Sequence, residues 1–247
     1  MSTHLLTRVE SRPALKTSFT AGAFLTATLP HAARTYRTYL PAQYEAKYPY
    51  PLVVFFHPEG GTAEAAVSLA PKLSDRNLIA IGVESPRLAG GLTGTWDGSN
   101  LDDIEDDVVK AIEQTARQYH VHSERIYFAG IGDGARTAYR LGFRMADRIA
   151  GICALNGPYP TAEANRPLFQ LPAARKLKVL ISHGMQNLQC PVAQADRAFR
   201  LLYAAGTNVR YLKYATNRTI SDDMLKDVNR WIIGNLNAET DQLILTR

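Results

Sequence analysis

The chain lacks any apolar run near the roughly 20 residues that a helix needs to cross a bilayer, so no membrane span is expected in its 247 residues. Cysteine is scarce: Cys153 and Cys190 are the only two, far apart in sequence. That excludes a disulfide-built scaffold and makes a reducing compartment the default. The formal net charge of +5 comes without a run of Lys or Arg and without a basic stripe interleaved with aromatics. Nucleic acid is therefore not an expected partner. The N-terminus lacks the form of a secretory signal: Glu10 spoils a basic n-region, and the apolar patch Ala21–Leu29 is broken by Thr26 and Thr28. A cytoplasmic location is expected. Histidine is absent from the last quarter of the chain, since none of the six follows His183.

What is present has ordinary globular composition, 46% hydrophobic and 21% charged. Phe19–Thr28 and Arg34–Leu40 partly alternate apolar and polar residues and predict an antiparallel pair of strands. Pro51–Phe56 is continuously apolar, as a strand buried on both faces should be. The loop His57–Gly61 follows, then an alanine-rich helix over Thr62–Leu73. The alternation repeats: strand Leu78–Val83, loop Pro86–Asn100, helix Leu101–Tyr119, strand Ile126–Ala129, then a glycine turn and a helix. Strands Ile149–Leu155, Leu177–Ser182 and Val209–Tyr214 come next, with helices at Pro191–Ala204 and Ser221–Leu236. Such alternation predicts an α/β fold, a mostly parallel sheet of about eight strands with helices on both faces. We read 1–17 as an N-terminal extension, 18–236 as one domain and 237–247 as a tail, either a loose extension or a small docking segment. The acids that open the helix at Leu101 (Asp102, Asp103, Glu105, Asp106, Asp107) suit the positive end of its dipole. No His or Cys joins them, so neither a metal nor a cofactor is expected.

The turn Gly130-Ile131-Gly132-Asp133-Gly134 sits between a strand and a helix, with the spacing of the G-x-S-x-G nucleophile elbow. Its middle residue, which would carry the attacking hydroxyl, is Gly132. Three further segments accompany it in order: Tyr36–Pro41 with Pro51–Gly61, Val179–Val192 (VLISHGMQNLQCPV), and Tyr214–Trp231. Together the four resemble the α/β-hydrolase superfamily, and within it the phospholipase/carboxylesterase and polyhydroxybutyrate-depolymerase-like esterases. The resemblance covers most of the chain, Tyr36 to Trp231. It implies an α/β-hydrolase fold and acyl transfer by a Ser…Asp…His triad, in that chain order.

Carried over by the resemblance, each triad role meets the wrong residue. Gly132 has no side chain to attack with. Asn187, four residues after His183, is a neutral amide where the acid should be. Arg218 stands at the base position and is always protonated. With no histidine after His183, the triad order cannot be completed. The oxyanion loop also departs, because Pro58 removes a donor and Glu59 brings a negative charge before Gly60. In the same resemblance the N–H of Asp133 faces the oxyanion.

The residues therefore point to an esterase-like protein that has lost its triad and binds a ligand or a protein. The ligand would be small, ester-like or anionic, and a protein partner or a second copy of the chain is the other candidate. His57, Trp96, Tyr159, His183 and Cys190 are expected around the old pocket, and Arg218 either pairs with Glu59 across it or holds an anion. The alternative is an active ester hydrolase with relocated chemistry, for which Cys190 or Asp133 would be the nucleophile. Gly130–Ala135 also fits G-x-G-x-x-[GA], but no acidic residue ends the next strand, which weighs against dinucleotide binding.

Overall fold

The computed structural model describes residues 23–28, 35–86, 95–96, 101–160 and 172–245. Eight strands form one sheet: β1 (Phe24–Thr28), β2 (Thr35–Tyr39), β3 (Tyr50–Phe56), β4 (Ile79–Val83), β5 (Val121–Ile131), β6 (Gly151–Leu155), β7 (Lys178–Gly184) and β8 (Asn208–Tyr214). Their spatial order is β1-β2-β4-β3-β5-β6-β7-β8. Strand β2 is antiparallel to both neighbours, Phe24 facing Tyr39 on one side and Tyr36 facing Val83 on the other. The remaining pairs are parallel. This is the mostly parallel sheet that the strand and helix pattern led us to expect, in the α/β-hydrolase arrangement that the resemblance implied.

Seven helices are described: α1 (Ala63–Val67), α2 (Ala70–Leu73), α3 (Leu101–Gln118), α4 (Gly134–Arg144), α5 (Pro172–Lys176), α6 (Val192–Ala204) and α7 (Asp222–Leu245). Along β3 successive side chains enter different cores. Leu52, Val54 and Phe56 join one, with Ile104 and Val108 of α3, Ala138 and Leu141 of α4, and Leu202 of α6. Val53 and Phe55 join the other, with Val67 of α1, Leu73 of α2, and Leu225, Val228 and Ile232 of α7. All of β3 is buried, which explains why its sequence does not alternate.

Two expectations need correcting. The helix expected over Thr62–Leu73 is two short ones, because Pro71 has no N–H and its ring cannot follow the carbonyl of Val67 in a continuous helix. The separate tail expected from Asn237 continues α7 to Leu245, in a stretch free of Gly and Pro. The short helix α5 covers a stretch to which no element was assigned from the sequence. Residues 1–22, most of the Pro86–Asn100 loop and 161–171 lie outside the described residues. Among the acids at the start of α3, Asp102 and Glu105 pair with Arg144 of α4 at 2.5 and 2.6 Å, so they serve helix contact.

The chain leaves β3 for β4 on one side and returns to β5 on the other. Between the carboxyl ends of β3 and β5 the crossovers diverge and open a crevice, the place where open α/β sheets bind ligands. Helix α4 starts there in close contact with the sheet. A Cβ on Gly134 would lie 2.2 Å from the Phe56 carbonyl oxygen. We predict that Gly134→Ala lowers stability by about 2 kcal/mol through overpacking, despite alanine's better helix propensity, as read by urea unfolding.

Candidate active site

The turn at the elbow position has a glycine, Gly132, at its centre. Gly132 has φ +54°, a left-handed conformation that disfavours side chains. Its N–H donates to Leu155 O at 2.9 Å and its carbonyl accepts from the Ala135 N–H at 3.0 Å. The flanking glycines answer to packing, since a Cβ on Gly130 would meet Ala135 Cα at 2.3 Å. Gly132 is roofed differently: a Cβ there would stand 3.1 Å from Pro58 Cβ. Pro58, from the loop after β3, therefore crowds the space that a serine would need.

Asn187 is a structural amide. It is buried, and its Oδ1 accepts from the N–H groups of Gln189 and Cys190, both at 3.1 Å. Its Nδ2 donates to the Asn156 carbonyl at 3.2 Å. Asn156 was missed by the sequence reading. Buried at φ +55°, it accepts the Gly184 N–H on Oδ1 at 2.7 Å and donates from Nδ2 to Thr219 O at 3.2 Å. Two amides thus join the loops after β6, β7 and β8. A carboxylate at 187 would keep both acceptor bonds but set an oxygen against the Asn156 carbonyl. The available signal for Asn156 was its type, an asparagine before a glycine at a strand end, where left-handed backbone is tolerated.

Both strand-end histidines are fully buried. His57 Nδ1 lies 2.8 Å from the Pro58 carbonyl, which only accepts, so this nitrogen carries a proton. Its Nε2 accepts the Ser85 N–H at 3.0 Å, with Glu84 Oε2 at 3.4 Å. His183 donates from Nε2 to Cys190 O at 2.8 Å. Burial lowers its pKa below the usual imidazole value, against the opposing pull of that carbonyl and of Asp196. Trp96 donates from its indole N–H to His57 O at 2.8 Å. Tyr159 packs on Tyr139, with ring centroids 4.8 Å apart.

A cavity of about 510 Å³ opens at the sheet's switch point. Gly132, Asn187 and Arg218 all line it, with Glu59, Gly60, Asp133 and Cys190. Asn156, Arg136, Gln189 and Gln194 line it too. His57, Trp96, Tyr159 and His183 are not among its described lining residues, contrary to the expectation that they form the pocket wall. His57, Trp96 and Nε2 of His183 are hydrogen-bonded to loop backbone, Nδ1 of His183 is buried without a partner among the described residues, and the Tyr159 ring packs on Tyr139 and Phe143. Arg136 and Asp133 approach to 3.8 Å, and Glu59 accepts from Thr95 Oγ1 at 3.4 Å. The Glu59–Arg218 pair considered from the sequence is not formed among the described residues.

The sequence profile of the Phospholipase/Carboxylesterase family matches residues 97–235, more than half of the chain. The chain belongs to the phospholipase/carboxylesterase family. Solved structures of similar fold include the Bacillus cereus carboxylesterase, 18% identical over 83% of this chain and 96% of that one, with a TM-score of 0.66. Zea mays acyl-protein thioesterase 2 is 16% identical over 81% of this chain and 98% of its own, with a TM-score of 0.64. A ferulic acid esterase from Anaeromyces mucronatus is 13% identical over 88% and 91%, with a TM-score of 0.65. No curated protein sequence matches the chain significantly.

Family membership raises the question of which cavity residue could attack a carbonyl. Cys190 is buried, with Sγ 3.6 Å from Gln194 Oε1. Burial pushes its thiol pKa up to about 11; the Asp133 charge adds to this and Arg136 opposes it. The position at the start of α6 therefore does not favour a thiolate, as the sequence alone allowed. Near neutral pH roughly one thiol in ten thousand is ionised at such a value. We predict that native protein takes up no maleimide within minutes at pH 7, whereas the chain unfolded in guanidinium takes up two equivalents, one for each cysteine. Labelling of the native thiol should accelerate as pH rises towards 11. Rapid native labelling at pH 7 would mark an activated cysteine.

Proposed function

We propose that this member of the family does not hydrolyse esters and instead binds a small polar molecule in the cavity at the switch point. One observation carries the reading: the elbow holds Gly132 beneath Pro58, with no hydroxyl or thiol at its centre. Acyl transfer of the family's kind needs a nucleophile, a base to take its proton, and a group to orient the base. No imidazole lines the cavity among the described residues. The base position carries Arg218, which cannot accept a proton. The acid position carries Asn187, whose hydrogen bonds are spent on three backbone groups.

The relocated-nucleophile reading is less well supported. The Cys190 thiol is protonated near neutral pH, and the Asp133 carboxylate lies beside Arg136 rather than beside a base. The cavity's size is in the range of ordinary small-molecule sites. Its lining of amides and four charged side chains suits a polar guest.

The experiment is hydrolysis of short-chain p-nitrophenyl esters by the purified chain and by a variant carrying Pro58→Gly, Gly132→Ser, Asn187→Asp and Arg218→His. The native chain should match buffer. The variant should exceed it, because it restores the three groups and clears the 3.1 Å contact. Native turnover abolished by Cys190→Ala or Asp133→Asn would establish relocated catalysis in its place.

A further inference from the structure

The charges around the cavity are not equivalent. Asp133 lies beside Arg136, and Glu59 is exposed and accepts from Thr95. Arg218 is the cation of the lining that has no carboxylate partner among the described residues, and its side chain is exposed to the cavity mouth. It follows β8 on a loop whose Thr219 carbonyl is held by Asn156. The guanidinium is thus attached close to a fixed backbone point.

Backbone donors share the cavity lining with it. The N–H groups of Asp133, just before the eleven-residue helix α4, and of Gly60 have no hydrogen-bond partner among the described residues. Asn156 and Asn187 have committed both amide ends to backbone, so their oxygens are not turned to a guest as competing acceptors. A neutral ester would leave the Arg218 charge without a counter-ion. A carboxylate or a phosphate group would meet it with paired N–H···O bonds.

We propose that the cavity binds a small anionic molecule, with its carboxylate or phosphate oxygens against Arg218. This rests on the non-hydrolytic reading above and names the ligand class for the same site. The Glu59 and Asp133 carboxylates limit the charge that the site accepts. A monoanion with an uncharged polar body fits better than a polyanion.

The test is isothermal titration of the full chain with butyrate, with inorganic phosphate and with butyramide, a neutral stand-in of the same shape as butyrate. Wild type, Arg218→Ala, Arg218→Lys and the surface control Arg210→Ala are compared. At least one of the two anions should bind ten-fold or more tightly than butyramide. Arg218→Ala should lose that advantage, Arg218→Lys should keep part of it, and Arg210→Ala should keep all of it. Added salt should weaken the anion and leave butyramide unchanged. A preference for butyrate over phosphate would mark a carboxylate site, and the reverse a phosphate site. Equal affinity for butyrate and butyramide, an anion effect unchanged in Arg218→Ala, or no binding by either anion overturns the inference. Each of those results leaves the non-hydrolytic reading standing, because that reading fails only on ester turnover.

Discussion

Helix α4 begins so close to the ends of β3 and β5 that neither Gly130 nor Gly134 has room for a Cβ. This steric constraint fixes the elbow irrespective of chemistry. The outer glycines hold helix to sheet, and the middle residue is left at φ +54° over the crevice. A protein can therefore lose the nucleophile and keep the turn, since glycine is the residue best suited to that backbone. Pro58, from the loop after β3, crowds the space above Gly132, where a Cβ would stand 3.1 Å from its own Cβ.

The second organising element is the amide pair. Asn156 and Asn187 tie three loops of the cavity rim with bonds in which each amide both donates and accepts. Only a neutral side chain can do both at position 187. Asn187 is part of the scaffold of the rim. Buried polar groups are costly when unpaired, and these two are fully engaged, which makes the rim rigid without an ion pair. Charge is left to Glu59, Asp133, Arg136 and Arg218 at the more accessible surface of the cavity.

Much of this was legible in the sequence because it depended on local pattern. The apolar run of β3, the strand–turn–helix of the elbow and the order of the four resembling segments locate the sheet and bring Gly132, Asn187 and Arg218 to one end of it. The pocket wall was not legible. His57 and His183 stand at strand ends, where a functional side chain would also stand, and their direction is decided by backbone groups: Pro58 O and the Ser85 N–H for His57, and Cys190 O for His183. Trp96 turns inward to serve His57 O. Asn156 escaped notice because its role depends on two loops far along the chain. The break at Pro71 had a local cause, but the alanine-rich run around it read as one helix.

The central claim is that no residue of this chain performs nucleophilic attack at the elbow. Intact-protein mass spectrometry after incubation with an alkyl fluorophosphonate tests it most directly, because the reagent forms a stable phosphonate ester on an activated hydroxyl wherever it lies and needs no turnover. The account predicts an unmodified chain of 27.3 kDa. A stoichiometric single adduct, mapped to any residue lining the cavity, would contradict it.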